Sequence, residues 1–191
     1  SNLFDLVLVS TDSEEIAAIS KAYGATVPFL RTEYNDDFST VSEATIHALK
    51  QLQNYNGKTY KTIVQLMANC PLRSSNSLKE QVKEFENSSS RDSLISGFKY
   101  GMFNPWWAHY KDESGQYKRL HGNGDSRTRS QDLPELFCPT GATWISDEYQ
   151  LNQHKTFYSP SYKVFELTWQ ESVDIDDIND LMLAKAAFNL I

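Results

Sequence analysis

With 191 residues, 40% of them hydrophobic and 23% charged, the chain has the size and balance of a single globular domain able to bury a core. Its formal net charge of −7 argues against a nucleic-acid or anionic-membrane surface spread over the whole molecule, while leaving room for a local basic pocket. Cys70 and Cys138 lie far apart with no paired spacing, so neither a disulfide scaffold nor a zinc site is indicated. No apolar run reaches membrane-spanning length and the first residues lack a signal-peptide layout. The expectation is a cytoplasmic protein with no membrane and no nucleic-acid partner.

Residues 6–9 form a short apolar run ended by Ser10-Thr11-Asp12, and Ile16, Ala17, Ile19 and Tyr23 then follow a helical pattern that Gly24 is placed to end. Residues 27–30 read as a second strand, with Pro28 favouring an edge or a strand start. A polar loop over 31–40 leads to a helix opened by Thr40 or Ser42 and carrying Ala44, Ala48, Leu49 and Leu52. Residues 62–67 are a third strand broken by Asn69-Cys70-Pro71; Leu78, Val82 and Phe85 mark another helix, and 93–98 another strand. Residues 140–145 and 162–167 resume strand character. Strands alternating with helices predict an α/β fold, Rossmann-like, with a mainly parallel sheet.

Residues 100–136 interrupt that alternation. A stretch this long with weak periodicity predicts a lid or dimer arm inserted within the single domain 1–191. Trp106 and Trp107 read either as packing or interface residues or as a base-stacking platform. Lys118, Arg119, His121, Arg127 and Arg129 concentrate positive charge, either as a solvated loop or as a clamp for phosphate or carboxylate.

The densest chemistry is in residues 172–180, Ser-Val-Asp-Ile-Asp-Asp-Ile-Asn-Asp. Extended residues two apart point the same way, so Asp174 and Asp176 share a face while Val173 and Ile175 turn to the core. Two such carboxylates repel, and a Mg²⁺ ion held between them and substrate phosphates is one resolution. The other is that Asp176 or Asp177 caps the helix announced by Ile178, Leu181, Ala184 and Phe188. In parallel sheets ligands bind beyond the carboxyl ends of the strands. Those ends carry Thr11-Asp12, Arg31, residues 69–73 and the acidic pair, and this clustering favours a site. Small residues around Gly141 would let a ligand or a second strand come close. No dinucleotide-binding glycine motif, P-loop or nucleophile elbow occurs.

Six strings in register resemble the acylneuraminate cytidylyltransferase family. They are Val9-Ser10-Thr11-Asp12, Gly24-Ala25-Thr26-Val27-Pro28-Phe29-Leu30-Arg31, Cys70-Pro71-Leu72-Arg73, Arg129-Ser130-Gln131-Asp132-Leu133-Pro134, Pro139-Thr140-Gly141-Ala142-Thr143-Trp144-Ile145 and Val173-Asp174-Ile175-Asp176. The resemblance implies a dimeric enzyme of nucleotide-diphospho-sugar transferase type that joins CTP to a nonulosonic-type sugar acid, releasing pyrophosphate with Mg²⁺. On that reading Asp174 and Asp176 hold the metal, and Asp176 and Arg129 are catalytic. Arg31, Ser39, Thr40, Asn69, Arg73, Arg127 and Gly141 bind substrate, with Arg31 and the backbone of Ser39 and Thr40 at cytosine and Arg127 and Arg129 at the sugar-acid carboxylate or the phosphates. The chain departs from the family pattern where Met67 replaces a glutamine and where Arg129 stands one residue early. The family's Ala-Arg-x-Gly-Ser-Lys phosphate loop is also not found. From that the chain alone is expected to bind CTP poorly and to be inactive or impaired, the alternatives being a non-catalytic folded remnant or an unrelated transferase of similar fold.

Overall fold

A computed structural model describes residues 3–36, 38–121 and 129–190. In chain order it contains α1 (Glu14–Ala22), α2 (Val41–Asn56), β1 (Thr62–Gln65), α3 (Ser75–Asn87), β2 (Leu94–Lys99), β3 (His109–Lys111), β4 (Tyr117–Arg119), β5 (Phe137–Asp147), α4 (Glu148–His154), β6 (Lys163–Glu166) and α5 (Ile178–Phe188). The helix starts follow from local chemistry. Thr40 caps α2 in a reciprocal box with Glu43, Ser74 caps α3 and Asp147 caps α4. No helix among the described residues is long and apolar enough to cross a membrane.

The central sheet has the order β1-β5-β2-β6. β5 runs antiparallel to both β1 and β2, whereas β2 and β6 are parallel. The mainly parallel sheet expected from the alternation of elements is therefore corrected to a mixed one. The physical reason lies in the connection: the chain leaves β2, makes the long excursion over 100–136, and re-enters the sheet from the same end. The apolar pattern of β5 carries no information about direction. Residues 6–9 and 27–30, read as strands, lie outside the main sheet; Leu8 of the first makes an isolated parallel bridge to Thr26, just before the second.

Alternation along the strands loads both faces. Ile63, Ile95 and Trp144 turn to one side, against Ile46 of α2, Leu151 of α4 and Phe157. Val64, Leu94 and Ile145 turn to the other, against Val82 and Phe85 of α3. This is the two-sided covering of an α/β layer. A register shift between Ile95 and Gly97 breaks the β2–β5 ladder. The Ser96 hydroxyl repairs it, donating to the Thr140 carbonyl at 2.9 Å and accepting from the Thr143 N–H at 2.9 Å.

Within the excursion, β3 and β4 form a hairpin. Asp112 shapes its turn, accepting from the Ser114 and Gln116 N–H groups and pairing with Lys118 at 2.8 Å. Trp106 donates through Nε1 to the Pro134 carbonyl and stacks at a tilt on His121, while the Arg119 guanidinium lies over Trp107. Both tryptophans thus pack within the excursion.

Candidate active site

The carboxyl ends of β1 and β6 and the amino-terminal part of β5 share one rim of the sheet, and three segments meet there. The first is the loop 67–73 after β1. The Met67 N–H donates to the Gly141 carbonyl at 3.1 Å, extending the β1–β5 register past the end of the strand. Arg73 then folds back, and its half-buried guanidinium donates to the carbonyls of Met67 and Ala142. Burial lowers the Arg73 pKa from its ordinary value, yet a guanidinium stays charged in proteins. Arg73, expected to bind substrate, is here bonded to backbone.

The second segment is residues 140–142 of β5, where the Thr140 hydroxyl donates to the Ser172 carbonyl at 3.2 Å. The third is residues 173–176. Val173 is buried and Ile175 partly so, packed with Leu72, Ala184 and Ala187, while Asp174 and Asp176 are exposed. The alternation read from the sequence is thus realised, with both carboxylates on the solvent side. Asp177, rather than Asp176, caps α5, in a reciprocal box with Asp180. Helix capping therefore leaves the side chains of Asp174 and Asp176 uncommitted.

The loop 67–73 and the acidic segment are joined directly. The Asn69 carbonyl accepts from the Ile175 N–H at 2.9 Å, and its side-chain amide donates to Asp176 Oδ1 at 3.1 Å. Cys70, fully buried beneath them, reports the local field. Burial pushes its thiol pKa up, the charge of Asp174 adds to that, Arg73 opposes it, and Asp176 contributes a smaller rise. Asp174, Asp176 and Arg73 therefore each lie within electrostatic reach of Cys70.

The donor set suits a hard divalent cation: two exposed carboxylates side by side, with oxygen as the ligand atom. Among the described residues no group of three or more His, Cys, Asp or Glu side chains is arranged to hold a metal. A Mg²⁺ site does not require such a cluster, since it can take one or two carboxylates and complete its shell with water and substrate phosphate.

The other expected site residues are placed as follows. The Arg31 N–H donates to the Thr11 carbonyl at 2.7 Å, and among the described residues nothing accepts from its buried Nε. The Ser39 N–H donates to Asp36 and the Thr40 N–H to Glu43, so both backbone donors are already used. Arg129 is exposed and forms a two-point pair with Asp132 at 2.8 and 2.9 Å. Gly141 lies directly under Met67. Arg127 falls outside the described residues. The site thus gathers Asn69, Arg73, Gly141, Asp174 and Asp176. Sequence reading missed that Arg73 is spent on the loop and Asn69 on Asp176, since both bonds reach segments distant in the chain.

A family model described as cytidylyltransferase matches residues 1–163. The chain is 28% identical to a pseudaminic acid cytidylyltransferase of Campylobacter jejuni, over 100% of this chain and 81% of that protein. It is 26% identical to a CMP-N,N'-diacetyllegionaminic acid synthase of Legionella pneumophila, again over 100% of this chain and 81% of that protein. Among solved structures it resembles a CMP:2-keto-3-deoxy-manno-octonic acid synthetase with a TM-score of 0.62 at 10% identity, covering 97% of this chain and 81% of that one; at that identity the likeness speaks to the fold alone. With the family matched over most of its length, the chain belongs to the cytidylyltransferases and is a nucleotidyltransferase.

Proposed function

We propose that the protein activates a nonulosonic acid as its CMP derivative, transferring a cytidylyl group from CTP and releasing pyrophosphate. The observation that carries this reading is the acidic pair: Asp174 and Asp176 stand together on the strand-end rim, while the capping of α5 is done by Asp177 and Asp180. The cytidylyltransferase match supplies the nucleotide, and both relatives named above act on, or make the CMP derivative of, a nonulosonic acid.

On this reading Asp174 and Asp176 hold Mg²⁺, which when bound would neutralise charge on the triphosphate and the departing pyrophosphate. The anomeric hydroxyl of the sugar acid attacks the α-phosphorus. A new oxygen–phosphorus bond forms as the bond to the bridging oxygen breaks, pyrophosphate leaves with that bond's electron pair, and the hydroxyl proton passes to solvent. Arg31 offers its unpartnered Nε at the cytosine end. Because the N–H groups of Ser39 and Thr40 are already donated, recognition at these positions runs through carbonyl oxygens, acceptors of the kind the cytosine amino group needs. Met67 fills the space above Gly141, so substrate reaches the backbone of β5 at this glycine when the flexible Met67 side chain swings aside. Arg129 meets the sugar-acid carboxylate by sharing or exchanging Asp132, a trade its planar fork allows; Arg127 would assist. Residues 100–136, with the β3–β4 hairpin, serve as the arm of a homodimer.

The test is pyrophosphate release from CTP and Mg²⁺ with pseudaminic, legionaminic or N-acylneuraminic acid. Turnover with at least one of them, abolished in Asp176→Ala with the circular dichroism spectrum retained, is the expected result. Unchanged turnover in Asp176→Ala would remove the metal assignment. Absence of both CTP binding by calorimetry and turnover with every sugar acid would overturn the reading.

A further inference from the structure

We propose that Asn69 is a positioning residue for Asp176, fixing which carboxylate oxygen is presented to the cation; this rests on the metal reading of the acidic pair. The two side chains come from parts of the chain 107 residues apart, and Asn69 Nδ2 reaches Asp176 Oδ1 at 3.1 Å. The contact is doubled one residue away, where the Asn69 carbonyl takes the Ile175 N–H at 2.9 Å. Asn69 is itself on a braced loop, since Arg73 ties the Met67 carbonyl to that of Ala142 and Cys70 is buried beside it. From the other side, the Asp176 N–H donates to Asp180 Oδ2 at 3.0 Å. The backbone of Asp176 is thus fixed by Asp180 and its side chain by Asn69.

The amide is the right group for this task. It donates one hydrogen bond to Oδ1 without bringing a charge, so the carboxylate of the exposed Asp176 keeps its negative charge and Oδ2 accepts no protein hydrogen bond among the described residues. A lysine or arginine there would compete with the cation, and a carboxylate would repel Asp176. Asp174, by contrast, has no hydrogen bond or ion pair among the described residues. The pair is therefore asymmetric: Asp176 is oriented in advance, and Asp174 adjusts to the ligand.

The experiment compares the unsubstituted protein with Asn69→Ala, the similarly branched but apolar Asn69→Leu, and Asp176→Asn. Two readouts are taken: Mn²⁺ broadening of the backbone amide resonances of residues 173–176, and the Mg²⁺ dependence of pyrophosphate release. Both Asn69 variants should need roughly tenfold more Mn²⁺ for the same broadening. They should also need roughly tenfold more Mg²⁺ for half-maximal turnover, with turnover largely restored at saturating Mg²⁺. Asp176→Asn should lose the broadening altogether. Mn²⁺ and Mg²⁺ requirements within twofold of the unsubstituted protein in a folded Asn69 variant would overturn the positioning role while leaving the metal site standing. If Mn²⁺ fails to broaden these amides in the unsubstituted protein, the metal reading falls and the positioning role with it. Should Asn69→Ala and Asn69→Leu both fail to fold, Asn69→Ser, which leaves the loop backbone unchanged, provides the same comparison.

Discussion

Met67 lies across Gly141 so closely that a β-carbon added to the glycine would sit 2.0 Å from the methionine sulfur and 3.2 Å from the methionine β-carbon. The sulfur could swing away, but the Met67 N–H is bonded to the Gly141 carbonyl, so the start of the side chain cannot follow. Gly141→Ala is therefore expected to destabilise the protein by about 1–3 kcal/mol through overpacking. At about 2–4 °C per kcal/mol for a chain of this size, a melting curve resolves the loss. Met67→Ala in the same protein should return most of it. If the double variant melts no higher than Gly141→Ala alone, the contact with Met67 is not the cause.

The repair of the β2–β5 bulge gives a second expectation. Ser96 is fully buried, and its hydroxyl serves the Thr143 N–H and the Thr140 carbonyl at once. The carbonyl keeps a second donor, Trp144 Nε1 at 2.9 Å, but the Thr143 N–H has no such reserve among the described bonds. Ser96→Ala should cost about 1–3 kcal/mol, the usual penalty for stranding a buried donor, and hydrogen exchange at the Thr143 amide should quicken more than at its neighbours. Uniform protection across β5 in the variant would show that the bulge closes without the hydroxyl.

These two contacts also mark where sequence reading stops. Helix starts were legible because they depend on neighbours in the chain: Thr40 with Glu43, and the acidic run that closes on α5. The outward aim of Asp174 and Asp176 was legible because Val173 and Ile175 alternate with them. The direction of β5 was not, since an alternating strand has the same pattern read either way, and the excursion before it hides the connection. Helix α4 went unseen because it has seven residues and buries only Leu151, too little for a period, although Asp147 was a cap in plain view. The bonds of Arg73 to Met67 and Ala142 and of Asn69 to Asp176 join distant segments, and nothing local announces them.

The hairpin of the excursion should resist acid. The Lys118 ammonium beside Asp112, helped by the Ser114 hydroxyl and the Gln116 and Ser114 N–H groups, lowers its carboxyl pKa to about 2. The folded value lies below the unfolded one of roughly 4. The contribution to stability is therefore complete above the unfolded value and is lost as pH falls through the folded value. Carbon-13 NMR should show the Asp112 carboxyl still ionised at pH 3, with the β3–β4 amides protected until the pH approaches 2. A midpoint near 4 would mean that the turn does not hold the carboxylate in solution.

Neighbouring acids at the end of the chain should divide their duties cleanly. Asp177 accepts from the N–H groups of Asn179 and Asp180 at 2.6 and 3.1 Å, and Asp180 returns the bond to the Asp177 N–H at 3.0 Å. Those bonds to the folded backbone hold the Asp177 carboxyl below its usual range, so its capping is strongest at neutral pH and weakens as acid protonates it. Asp177→Ala should lower the melting temperature by roughly 2–4 °C, the scale of a lost cap in a chain of this size. It should leave the Mg²⁺ requirement for pyrophosphate release unchanged, because its carboxylate is committed to the helix. Asp176→Ala should do the reverse, losing turnover while melting close to the unsubstituted protein, since an exposed carboxylate beside Asp174 adds repulsion as well as its bond to Asn69. Thermal melts and Mg²⁺ titrations of the two variants side by side decide the matter. A shared loss of turnover with a shared fall in melting temperature would show that the acids act together in holding the segment, and that the pair at 174 and 176 is not set apart from the cap.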